Sequence, residues 1–74
     1  MTGYTFYLTR SPEVASLISE ACRKKIGTDN IAAIGNGPVG DDCRIPSTYH
    51  NDGWFYAMIE YQKLVRPVYE IVFA

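Results

Sequence analysis

The chain has 74 residues, 47% of them hydrophobic, with seven Lys and Arg against eight Asp and Glu for a formal charge of −1. That length makes one domain, 1–74, around one core; a chain this short hides only about 60–65% of the surface its unfolded form exposes, so oligomerisation is a natural supplement. Interspersed acids and bases exclude an electrostatic footprint for duplex nucleic acid or an anionic membrane, and no apolar run reaches the ~18 residues of a transmembrane helix.

The opening MTGYTFYLTR has neither the basic n-region nor the apolar h-region of a signal peptide. Two cysteines, Cys22 and Cys43, do not make a disulfide framework. The expectation is a cytoplasmic protein with reduced thiols.

Tyr4 to Thr9 alternates as a strand, with Tyr4, Phe6 and Leu8 on the expected core face. Ser11 to Gly27 carries every local helix signal. Ser11 is the N-cap, Pro12 fits the first helical position, and Glu13 complements the macrodipole. Val14, Leu17, Ile18, Ala21, Cys22 and Ile26 recur at helical spacing and predict one buried stripe. Arg23, Lys24 and Lys25 suit the last turn, and Gly27 suits the left-handed residue beyond it. Such a helix is marginal alone, so it must pack on a sheet.

Thr28 to Asn30 reads as a turn, and Ile31 to Ile34 as a short strand. Gly35 to Asp42, GNGPVGDD, reads as irregular. Arg44 to His50, the Asn51-Asp52-Gly53 turn and Trp54 to Gln62 together suggest a hairpin, with Pro46 demoting its first arm to an edge. Trp54, Ala57, Met58, Tyr61 and Leu64 also fit a helical stripe, which leaves a second order open. Val68 to Phe73 closes the chain as an apolar strand, with Tyr69, Ile71 and Phe73 on one face and Val68, Glu70 and Val72 on the other, expected to lie inside the sheet. The predicted fold is therefore α+β: one amphipathic helix on a mixed or antiparallel sheet of four to five short strands. Its order is β-α-β-β-β-β, with β-α-β-α-β as the alternative.

No constellation predicts chemistry. Cys43, His50 and Asp52 have nucleophile, base and orienter types, but seven extended residues separate sulfur from imidazole by about 20 Å. Asp41, Asp42, Cys43 and His50 lack the paired spacing of a structural zinc site. The glycines of 35–40 match neither phosphate-binding pattern. No metal, cofactor or catalytic residue is expected.

With one helix covering one sheet face, Tyr7, Trp54, Tyr56, Met58, Val68 and Val72 are expected on the other, unless loop 35–50 or a homodimer covers them. Trp, Tyr and Met favour protein interfaces. The expected function is a small non-enzymatic protein-binding module whose partner is a larger protein or nucleoprotein complex. Its anchors would be Tyr7, Trp54, Tyr56 and Met58, and Asp41, Asp42, Asp52 and Glu60 would meet a basic groove. In size, charge and economy the chain resembles the small inhibitors that phages and mobile elements direct at host defence complexes, anti-CRISPR proteins included. No motif carries that likeness. The alternatives are a single-stranded RNA binder that stacks bases on an aromatic sheet face, although no RNP-like sequence is present, and a small cysteine-dependent enzyme.

Overall fold

A computed structural model describes residues 1–26 and 30–74. The elements are β1 (Gly3–Thr9), α1 (Pro12–Arg23), β2 (Ile31–Pro38), β3 (Phe55–Tyr61) and β4 (Val68–Phe73), with short 3₁₀ turns at Val39–Asp41 and Ser47–Tyr49. The fold is α+β, one helix on a mixed four-stranded sheet ordered β2-β3-β1-β4. β3 runs antiparallel to both β1 and β2, and β4 runs parallel to β1.

β1 sits inside the sheet because both of its faces are needed. Phe6 and Leu8 are fully buried on one face, and Thr5 and Thr9 are buried on the other. α1 covers the Thr5 face through Ala15, Ser19 and Cys22, with Ile18 packed beside Ile31 and Ile59. The helix starts as predicted: the Ser11 hydroxyl accepts from the Val14 amide at 3.3 Å, and Thr9 Oγ1 accepts from the Ser11 amide at 3.1 Å. Removing that cap in Ser11→Ala is expected to cost about 1 kcal/mol. In a domain of this size, a thermal melt should show that as a fall of roughly 4–8 °C.

The buried stripe is rotated from the predicted one. Ala15, Ser19 and Cys22 face the sheet, while Leu17 remains 63% exposed and Val14, Ala21 and Ile26 also reach solvent. Small side chains let the helix lie close on the sheet, and this close packing outweighs the apolar count of the stripe. The helix ends at Arg23, and Lys24–Ile26 form a turn. The assignments of Gly27 to the helix end and of Thr28 and Asp29 to a turn lie outside the described residues.

The opposite face of the sheet is covered by the chain itself. Val39 and Ile45 drop from the segment between β2 and β3 onto Phe6, Leu8 and Met58, making a second buried cluster. β2 runs on through the glycines to Pro38 rather than ending at Ile34. Gly35 and Gly37 lie over Met58 and Tyr56, where a Cβ would meet those side chains at 3.8 Å. These glycines pair in the ladder, and a Cβ at either would make only ordinary contact with the β3 side chains.

The segment predicted as a hairpin arm, Arg44 to His50, is not a strand. Pro46 has no N–H to give a ladder. The Tyr49 amide instead donates to the Pro46 carbonyl and the His50 amide to the Ser47 carbonyl, turning the chain so that Ile45 reaches the core. Gly53 does adopt the positive φ (69°) expected of the Asn51-Asp52-Gly53 turn. Within the predicted Trp54 to Gln62 arm, Phe55–Tyr61 is the strand β3, which removes the helical alternative. β4 lies at the sheet edge, not inside it. No helix among the described residues is long and apolar enough to cross a membrane.

Candidate functional site

Three strand ends meet at one margin of the sheet. β1 leaves there for the helix, β3 begins and β4 finishes. The register sets Leu8 beside both Phe73 and Tyr56, and Trp54 lies two residues before Tyr56 on the same face. Tyr49, at the end of the second 3₁₀ turn, completes a cluster of three rings. Their centroids are 6.1 Å apart for Tyr49–Trp54, 5.7 Å for Tyr49–Phe73 and 5.8 Å for Trp54–Phe73. The Arg10 guanidinium stacks 4.4 Å from the Trp54 ring centre and lies 3.6 Å from the Asp52 carboxylate. Edge-to-face and tilted rings at these spacings attract one another beyond their area burial. Phe73 nonetheless remains 57% exposed, and Trp54 and Tyr49 are only half-buried.

A second polar locus holds the covering loop down. Asp42, 6% exposed, receives Arg44 Nε at 2.9 Å and Arg44 Nη2 at 2.6 Å, and its Oδ1 also accepts from the Arg44 amide. The guanidinium lies over Tyr4 and Phe6, 4.9 and 5.4 Å from their ring centres. Tyr69 Oη donates to the Arg44 carbonyl at 2.6 Å. The Arg44 hydrogen bonds hold the Asp42 carboxyl below the usual carboxylate range, and Asp42 in turn raises the guanidinium further above its ordinary value. This arrangement ties the loop to β1 and β4, so Asp42 is an internal anchor.

The structure divides the residues predicted to share one uncovered face. Trp54, Tyr56 and Met58 lie on the Phe6 face, under Val39 and Ile45, with Met58 buried. Tyr7 lies on the helix face, where Tyr7, Val72, Ile18, Ala21, Cys22, Lys25 and Ala74 line a cleft of about 410 Å³. Burial there pushes the Tyr7 hydroxyl and the Cys22 thiol up from their ordinary pKa values. The cause of the split is the coverage: the loop takes one face and the helix the other. The predicted acids are likewise dispersed. Asp41 and Asp42 lie at the first 3₁₀ turn and Asp52 at the ring cluster, whereas Glu60 sits at the opposite end of β3, about 20 Å along the strand from Trp54.

Cys43 and His50 form no nucleophile–base pair. The His50 Nε2–H donates to the Ile45 carbonyl at 2.7 Å, and Cys43 is an exposed free thiol. Cys22 is a buried free thiol, so the two cysteines are not joined. Among the described residues, no three His, Cys, Asp or Glu side chains gather as metal ligands would.

Sequence reasoning found Trp54 and Asp52 but missed Tyr49, Phe73 and Arg10. Alternation did place Phe73 with Tyr69 and Ile71. The parallel pairing of β4 with β1, which carries Phe73 to Trp54, has no local signal. No family model, curated protein or solved structure matches the chain.

Proposed function

We propose that this chain is a non-enzymatic protein-binding module that docks through the Tyr49–Trp54–Phe73 cluster and Arg10. The observation that carries this reading is a packed group of three aromatic rings and a stacked arginine that still presents Phe73 to solvent. Tyr, Trp and Arg are the residue types that dominate binding hot spots. Rings already held by one another lose little side-chain freedom on docking. Exposed Asp41, at the first 3₁₀ turn, would speed the approach of a basic nucleic-acid-binding groove on a larger partner, whereas Asp52 is paired with Arg10. The inhibitor form of this function draws on size and charge. Asp42 does not contribute to it, because Arg44 occupies its carboxylate.

Base stacking on the sheet is less favoured, since the covering loop lies over Tyr56, Met58 and Phe6. The test uses the tagged chain as bait in nuclease-treated host lysate, with Trp54→Ala, Phe73→Ala and the exposed helix control Leu17→Ala run in parallel. One partner at fixed stoichiometry is expected with the wild type and the control. Its recovery should fall about 30-fold or more with either ring removed, the equivalent of about 2 kcal/mol. Circular dichroism of each variant separates a lost contact from a lost fold. Equal recovery with folded Phe73→Ala would remove the cluster from the interface, and loss of the partner on nuclease treatment would return the RNA reading.

A further inference from the structure

The two edges of the sheet differ in kind. β2 is blunted as natural edges are: a bulge lies between Ile31 and Ala33, two glycines weaken the strand, and Pro38 ends it. β4 reads VYEIVF, with no lysine, proline, glycine or bulge, and among the described residues nothing pairs with its outer side. The Ala74 amide donates inward to the Leu8 carbonyl at 2.9 Å. Backbone groups alternate sides along a strand, so Glu70 and Val72 also point their N–H and C=O at β1, and those of Tyr69, Ile71 and Phe73 point outward.

We infer that β4 pairs antiparallel with β4 of a second copy of this chain, with Ile71 on the dyad, to make one continuous eight-stranded sheet. Three observations select that occupant and that register. First, a dyad at Ile71 sets Tyr69 opposite Phe73 of the other copy and Ile71 opposite itself, so that every outward N–H and C=O finds a partner. A dyad at Glu70 would oppose two carboxylates and set Phe73 against Pro67, which has no N–H; a dyad at Val72 would run Tyr69 past the end of β4. Second, the side chains match. Half-exposed Tyr69 and Phe73 meet as an aromatic cross-strand pair on one face. On the other face Glu70 falls opposite Val72 of the other copy and not opposite a second carboxylate. Third, among the described strands β4 alone has more than half of its residues exposed, and on both faces, as a strand awaiting a neighbour would be. The dimer also carries Tyr69 of one copy to the ring cluster of the other, joining the two docking surfaces without requiring a third protein.

The unmodified chain tests this directly. Sedimentation equilibrium should give twice the 8.3 kDa chain mass, and the Tyr69, Ile71 and Phe73 amides should exchange with deuterium as slowly as those of Glu70 and Val72. A chain that stays at 8.3 kDa near millimolar concentration, with those three amides exchanging fast, overturns the inference. The register has its own test in a Cys43→Ser background. Ile71→Cys should oxidise to a disulfide dimer, because opposed residues of such a pair sit within bridging distance. Phe73→Cys should cross-link only when mixed with Tyr69→Cys. Efficient self-linking of Phe73→Cys would overturn this register. None of these readouts depends on capture of a larger partner, so they separate from the docking proposal above.

Discussion

Phe6→Ala is expected to remove a large share of the domain's stability at 25 °C. Phe6 is fully buried at the centre of the cluster that joins β1, β3 and the covering loop, where its ring contacts those of Tyr56 and Tyr69. Truncating a buried Phe costs about 3–5 kcal/mol, from the lost transfer energy and the cavity left behind. A domain of this length has only about 4–11 kcal/mol in total. The conservative Phe6→Leu should cost about 1–2 kcal/mol and remain folded, and Leu17→Ala on the exposed helix surface should stay within about 0.5 kcal/mol. Urea denaturation followed by Trp54 fluorescence ranks the three. If Phe6→Ala lost less than about 1 kcal/mol, the covering loop would not form a core with the sheet.

Arg44→Met carries the second large effect, and its size depends on pH. The substitution keeps much of the side-chain volume over Tyr4 and Phe6 but strands the Asp42 carboxylate with a single backbone donor. Breaking a fully buried pair costs about 3–5 kcal/mol; Arg44 is 38% exposed, which reduces the expected loss to about 2–3 kcal/mol at pH 7. In the wild type the folded pKa of Asp42 is depressed. Its contribution is therefore fully present above the ordinary carboxylate value and is lost as pH falls through the lowered folded value. In the variant the stranded carboxyl is favoured when protonated. The gap between the two proteins should then narrow on going from pH 7 to pH 3. A gap of constant size across that range would show that Arg44 acts by packing alone. Asp42→Asn combined with Arg44→Met should recover part of the loss, since no buried charge remains.

How far the sequence reaches is clearest in particular elements. The Ser11-Pro12-Glu13 start of α1 was legible because capping is a contact between neighbours in the chain. Gly53 was legible for the same reason, since its positive φ belongs to the turn itself. The hydrophobic alternation of β1 and β4 correctly separated their two faces. Which face of α1 turned inward was not legible. Ser19 is fully buried although it is polar, because the sheet selects for close approach, and closeness is a property of two surfaces. The loop at 39–54 misled for a related reason. Val39 lay in a stretch read as irregular and Ile45 in one read as a hairpin arm, yet both are core residues.

The candidate site was half legible. Trp54 and Asp52 stood out by type, but Tyr49, Arg10 and Phe73 join them only because β4 lies parallel to β1 and the 3₁₀ turn at Ser47–Tyr49 folds back over the sheet. By itself the sequence determined the class of fold, the start of the helix, the two-sided character of the strands and the absence of any recognisable catalytic motif. These follow from periodicity and from contacts a few residues apart. Only the tertiary structure decided the order of the strands, the edge position of β4, the face each helix residue uses and the cluster at the strand ends. Those depend on pairings between segments separated by tens of residues, and long-range pairing is fixed by how whole surfaces pack together, which no local stretch of sequence encodes.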